Sequence, residues 1–398
     1  GRMLSWSDHW KISQEIQFIS EQLDIFENDH TLQSNPSIRL LDHSEDEFGA
    51  SIFQQLPVLV RRSFQDQWRD PVYLYTKVAV CIGLGLANGL SFYMAENDIQ
   101  GLTNLLFSVF LISQFFSILS MLIIPRFTQT RDLFEARERD SKLYSWVCLV
   151  AANIITEITW LTIISVLIFV CWYYPTGLYR NGDSAFGTTE RGALSFVLIW
   201  AFTLWSSTLS QAFAASIEQP ETAIQMATLC FWLSLVFCGY ERYYIPQVTD
   251  RMLTCYRILV SPDELPRFWI FMYRVSPLTY FFEGLAIAGV AGVTVECAKK
   301  EIIKIPAPSD MKTCGEYLAP FIKRAGGYLS NSDQQGAEEC RYCPVARADV
   351  VLDSIGMGMS KNTAWRNVGI AFGYIGFNIL LVFALYWICR VPRRLKAK

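Results

Sequence analysis

VCLVAANIITEITWLTIISVLIFVCW, residues 147–172, is 26 residues long and carries one charge, Glu157. A helix needs about 20 mostly apolar residues to cross the hydrocarbon of a bilayer. The run has no polar stripe at helical spacing, so it is apolar all round and expects lipid or a deep core as its solvent. Five more runs read the same way. Residues 72–95 carry only Lys77, near the start; 102–125, 192–217, 222–239 and 368–389 carry no charge. Six such runs in one chain predict an all-α polytopic membrane protein with six transmembrane helices.

The composition agrees. Of 398 residues, 52% are hydrophobic and 18% charged, where a soluble domain averages about a quarter charged. That excludes a disordered or fibrous chain and points away from a soluble enzyme. The net charge of −3 gives no electrostatic case for nucleic acid. No signal peptide precedes the runs; the first 55 residues are polar. The three His (His9, His30, His43) all fall in that polar stretch and form no metal motif.

Basic residues set the orientation. Arg61, Arg62 and Arg69 precede span 1. Arg126, Arg131, Arg137, Arg139 and Lys142 lie between spans 2 and 3, and Arg390, Arg393, Arg394, Lys396 and Lys398 follow span 6. The loop at 96–101 has none, and the next has only Arg180 before Glu190. Both termini are therefore expected in the cytoplasm. Residues 1–54 read as a cytoplasmic lead-in with a helix around 12–27. Residues 55–70 form an amphipathic helix lying in the interface, ended by Pro71. Lys77 is expected to snorkel to the cytoplasmic surface.

Longer motifs carry a resemblance. FEARERDSKLYSW (134–146), CWYYPTGLYRN (171–181), RGALSF (191–196), FWIFMYRVSPLTY (268–280) and WRNVGI (365–370) closely resemble the second membrane domain of fungal pleiotropic-drug-resistance transporters, which are G-type ABC transporters. WSDHWKISQE (6–15) is similar to the segment after their second nucleotide-binding domain. The resemblance implies an ABC-2 type membrane domain, the last quarter or so of a full transporter. No G-x-x-x-x-G-K-[ST] is present to cradle phosphates, and the family's ABC signature is absent, so this chain is expected to bind no cofactor itself. ATP and Mg would act through nucleotide-binding domains elsewhere, and a second six-span domain would complete the permease.

The same resemblance makes 126–146 a coupling loop touching a nucleotide-binding domain, with Glu135, Arg137, Glu138 and Arg139 as its charged face. It reads Asp140 where the family has Pro. Glu157 matches a family carboxylate, although Thr159 stands where the family has Pro. A carboxylate at that depth costs a few kcal/mol and marks either a polar contact between helices or a role in transport. Spans 2 and 5 would line the substrate path: Phe107, Gln114 and Ser117 from one, with Phe115 beside them; Met226, Cys230, Ser234 and Phe237 from the other, with Phe231. Aromatic and Met surfaces with sparse hydroxyls suit hydrophobic compounds, xenobiotics or lipids.

Residues 258–286 read as a membrane-associated segment and 287–367 as an extracellular domain. Cys297, Cys314, Cys340 and Cys343 in an oxidising compartment predict two disulfides in any of three pairings; a zinc site is the alternative. The block 240–257 interrupts the family pattern, which runs from Phe237-Cys238-Gly239 directly into Ile258-Leu259-Val260. Its residues can be encoded by nucleotides that contain a fungal 5′ splice site, a branch point and a terminal TACAG, so a short intron kept in frame is one reading and a genuine insertion the other. Residues 368–398 are span 6 and a basic cytoplasmic tail. The sequence thus points to the permease domain of an ATP-driven exporter in the plasma membrane. The alternative is a truncated, non-transporting remnant acting at most as a membrane interaction protein. An intramembrane enzyme would need paired catalytic groups within the spans, and Glu157 has no second carboxylate there.

Overall fold

The computed structural model describes residues 13–28, 48, 50–181, 187–238, 270–306, 313–332, 339–354, 357–358 and 360–391. The block 240–257, most of the polar linker and the basic tail lie outside the described residues. The helices are α1 (Gln14–Asn28), α2 (Ile52–Arg69), α3 (Pro71–Ser91), α4 (Ile99–Ile112), α5 (Phe115–Leu133), α6 (Trp146–Thr176), α7 (Thr188–Ser216), α8 (Pro220–Val236), α9 (Ile270–Val275), α10 (Pro277–Val290), α11 (Cys314–Ala325), α12 (Ala348–Ser354) and α13 (Lys361–Arg390). A π-helical turn, Phe134–Glu138, extends α5.

Among the described residues, five stretches are long and apolar enough to cross a membrane: Pro71–Ser91, Ile99–Glu138, Trp146–Thr176, Thr188–Ser216 and Lys361–Arg390. The sixth expected span differs. α8 has 17 residues, about 26 Å at 1.5 Å per residue, short of the ~30 Å hydrocarbon core. Pro220 starts it at the first helical position, and the backbone leaves the helix at Phe237. Span 2 also differs from a single rod over 102–125. It is interrupted at Ser113–Gln114, where Ser113 N bonds Phe110 O and Phe116 N bonds Ser113 O in tight three-residue turns (3.0 and 3.1 Å). It then runs on through the stretch expected to be loop. A helix covers the expected amphipathic stretch 55–70 as α2, starting three residues earlier at Ile52, with Trp68 and Phe64 stacked on Trp160 of α6 (centroids 5.9 and 5.0 Å). Where α3 meets α6, a Cβ on Gly89 would sit 2.4 Å from Cys171 O; only glycine lets the backbones approach this closely.

α7 is the hub, packed on α5, α6, α8, α10 and α13. It also buries a row of polar side chains. Thr203, Ser206, Ser207, Thr208, Ser210 and Gln211 are all buried. Ser210 Oγ meets Ser120 Oγ of α5 (2.8 Å), Thr203 Oγ1 meets Ser165 Oγ of α6 (2.7 Å), and Asn378 Nδ2 of α13 donates to Thr208 Oγ1 (3.3 Å). Three of the five neighbours, α5, α6 and α13, thus have a hydroxyl contact that fixes their height on the hub, as small polar residues do between helices in lipid.

At the end opposite the basic clusters sits a small antiparallel sheet, β1 (Ile303–Pro306), β3 (Glu339–Cys343) and β2 (Tyr328–Leu329), in the order β1-β3-β2. This region is shorter than the expected 287–367. Its first residues end α10, and 361–367 begin α13. The disulfides pair Cys297 with Cys343 and Cys314 with Cys340 (Cα–Cα 5.9 and 5.6 Å). Both bridges consume the thiols, so the zinc alternative has no ligands left. In unreduced protein all four are expected to resist alkylation by mass spectrometry. Loss of the Cys314–Cys340 bridge should cost the small region about 2–5 kcal/mol, seen as new protease cleavage within 297–354; four free thiols would contradict the pairing.

Candidate functional site

The charged residues at the basic end converge on one junction. The π turn at 134–138 closes with Arg139 N on Phe134 O (2.9 Å) and buries Phe134 against Tyr144 (centroids 5.2 Å). A π turn inserts one residue into the helical period and so redirects the side chains that follow. Here it sends Glu138 toward α2 and Glu135 with Arg139 toward the end of α13. Glu138 accepts from Arg62 Nη2 of α2 at 2.5 Å and from the Tyr144 hydroxyl. The bond to Glu138 holds the Arg62 guanidinium more firmly protonated. Burial first, and that same carboxylate second, pushes the Tyr144 phenol up. On the other side Arg139 Nη2 donates to the Arg390 carbonyl (3.0 Å), and Arg390 Nη1 lies 3.8 Å from Glu135 Oε2. The segment is therefore clamped between α2 and α13. Arg137 points away, exposed, flanked by the exposed Leu133 and Leu143.

Deeper lies a buried ion pair. Glu157 Oε2 accepts from Lys77 Nζ at 2.5 Å, with both side chains sequestered. Glu157 Oε1 accepts from the Tyr73 hydroxyl (2.6 Å) and Gln67 Nε2 (3.2 Å), and Lys77 Nζ also donates to the Tyr73 oxygen (3.1 Å). Lys77 does not snorkel. An anionic partner at the same depth offsets its desolvation, and α2 covers the route outward. Four residues from three helices thus form one polar knot. The helix through Glu157 is unbroken, and Thr159 returns its hydroxyl to Ile155 O (3.0 Å).

Two arginines act as caps. Arg131, fully buried, donates from Nη1 to Ala214 O (2.5 Å) and Ile217 O (2.7 Å) and from Nη2 to Glu218 O (2.9 Å). It satisfies the carbonyls that end α7, where a cation also meets the negative end of the helix dipole. Arg191, also buried, donates to Ala288 O (3.2 Å) and Ala291 O at the end of α10. Between α2, α5 and α6 a cleft of about 320 Å³ is lined by Arg62, Asp66, Arg69, Arg126, Tyr144 and Asn153, among others. Arg126 bridges its wall, paired with Asp66 and with Asp70 (3.2 Å).

The residues expected along spans 2 and 5 separate into two groups. Phe115 and Phe231 are buried, and Phe231 stacks on Phe116 (4.4 Å), so they are packing residues. Phe107 and Met226 are exposed; Gln114, Ser117, Cys230, Ser234 and Phe237 are half-buried. α8 further exposes Leu229, Trp232, Leu233 and Val236.

Fold and junction together define a multi-pass helical membrane domain with a rigid charged segment at one end and a disulfide-bonded cap at the other. Residues 54–245 match the model of the ABC-2 type transporter family, and this stretch is an ABC-2 membrane domain. It is 41% identical over 397 residues to ABC multidrug transporter C of Aspergillus fumigatus, covering 99% of this chain and 25% of that protein. It is 38% identical to ABC multidrug transporter atrG of Aspergillus oryzae, again over 99% and 25%. With ZEB2-regulated ABC transporter 1 of Gibberella zeae it shares 36%, over 99% and 25%. The chain thus spans about a quarter of the length of these curated relatives.

Proposed function

We propose that this chain is the second permease domain of an ATP-driven exporter of hydrophobic compounds, xenobiotics or lipids in the plasma membrane. Its basic end faces the cytoplasm, and its sheet and disulfides face outward. ATP and Mg act in nucleotide-binding domains that dock at the 126–146 segment. Phe107, Gln114, Ser117, Met226, Cys230, Ser234 and Phe237 face a second six-span domain across the substrate path. The observation that supports this reading best is the clamped segment. Glu138–Arg62 and Arg139–Arg390 tie it to the interfacial helix and the last span, while Leu133, Arg137 and Leu143 remain outward. A push on that exposed face is passed to several helices at once.

In the full transporter, Arg137→Glu is expected to lower efflux several-fold with surface expression intact, because Arg137 makes no side-chain bond within the described junction. Arg139→Glu should lower both, since Arg139 also holds α13. Dye efflux set against surface labelling reads the difference. Normal efflux in Arg137→Glu combined with Leu143→Glu would reduce the segment to a topology signal.

A further inference from the structure

Glu301 lies in the outer region, about 200 residues from span 2 in sequence, yet it completes the start of that span. The first amides of a helix have no partner within it. In α4 the side chain of Asp98 takes Gly101 N (2.6 Å). Glu301 takes the two before it, Oε2 from Ile99 N (3.1 Å) and Oε1 from Gln100 N (2.8 Å). A carboxylate is favoured at this end of a helix, and its bonds to amides are charge-assisted. Gly101 allows the turn to close, since a Cβ there would sit 1.9 Å from Glu96 O.

The arm bearing Glu301 is itself held. Oε2 also accepts from Ala298 N (3.1 Å), Glu301 N bonds Ala298 O (2.8 Å), and Cys297 is bridged to Cys343 at the end of β3. Beside it Glu296 N donates to Asn97 O (2.8 Å), and Arg180, after span 3, donates to Ala95 O (3.3 Å). A continuous path therefore runs from the sheet through a disulfide and a short turn into the first turn of span 2. A flanking Ser or Asp caps most helices alone. A cap supplied by another region ties the two together.

We infer that Glu301 is a positioning residue that pins the outer region to the outer end of span 2, so that the two move as one body during transport. The inference rests on the exporter reading for its effect on transport, and its structural arm stands apart from it. The test uses the full transporter carrying Glu301→Ala, Glu301→Gln or, as control, Glu339→Ala, which removes an exposed partner of Lys304 on the same sheet. Hydrogen exchange by mass spectrometry should show peptides over 97–106 exchanging about tenfold faster in Glu301→Ala, with α13 unchanged. Glu301→Gln should fall between. Transport per ATP hydrolysed should drop several-fold in Glu301→Ala while hydrolysis persists, and Glu339→Ala should match the parent in both. Unchanged exchange at 97–106 in Glu301→Ala would refute the pin. Faster exchange with undiminished transport per ATP would refute its role in positioning. A parent protein without any ATP-driven transport would instead refute the exporter reading, with exchange still deciding the pin.

Discussion

Lys77→Met is expected to remove most folded protein from the membrane, and Glu157→Gln to remove a good part of it. The Lys77→Met/Glu157→Gln double variant should recover much of the loss. Both charges are sequestered, 2.5 Å apart. Removing one partner leaves the other charge uncompensated, at about 3–5 kcal/mol, against total stabilities of about 5–15 kcal/mol. Removing both takes away attraction and desolvation together, which is often near neutral. In the double variant Tyr73 and Gln67 still find a neutral amide oxygen at position 157. Fluorescence-detected size-exclusion yield and thermal midpoint read the ranking. A double variant worse than either single would mean that the pair is not the unit of stability.

Arg131→Met should be nearly as damaging, by a different route. Three carbonyls at and just past the end of α7 lose their donor; the buried one, on Ala214, costs about 1–3 kcal/mol if left unsatisfied, and the guanidinium's own packing is lost as well. Arg131→Lys should rescue only in part, because an ammonium on a flexible stem does not reproduce the planar fork. The expected signature is a lowered thermal midpoint together with new cleavage near 217–221 in limited proteolysis. A parent-like midpoint in Arg131→Met would show that water replaces the guanidinium at no cost.

The spans were legible because apolarity is a local property. Each run of about 20 residues announces itself without reference to the rest of the chain. The helix α2 was legible from an equally local signal, its amphipathic pattern up to Pro71. What the sequence hid was every contact between distant residues. Lys77 and Glu157 are each conspicuous, but nothing in their separation of 80 residues says that they meet, so Lys77 read as a snorkelling surface lysine. Arg131 read as one more basic residue setting topology, and only the fold brings the end of α7 to it. Arg191 and Glu301 were missed for the same reason. Helix ends seek caps, and a cap supplied by another element leaves no local signal. The disulfide pairing likewise depends on β3 presenting Cys340 and Cys343 to opposite partners. The π turn had no signature in FEARE beyond its charges, and the shortness of α8 follows from where its backbone leaves the helix.

The polar row on α7 bears on how the protein is made. A segment with this many hydroxyls enters the membrane before Asn378 of the last span has been synthesised, and must wait without that partner. Its hydroxyls meanwhile fold back on their own helix. Ser206 donates to Phe202 O, Thr208 to Leu204 O and Ser210 to Ser206 O, at 2.7–2.9 Å. Bonded this way, these three hydroxyls are expected to be tolerated in lipid during synthesis. When α13 arrives, Asn378 needs only an acceptor lone pair on Thr208, which that hydroxyl still has free after donating inward. Thr208 is thus expected to recruit the final neighbour without surrendering the bond it already holds.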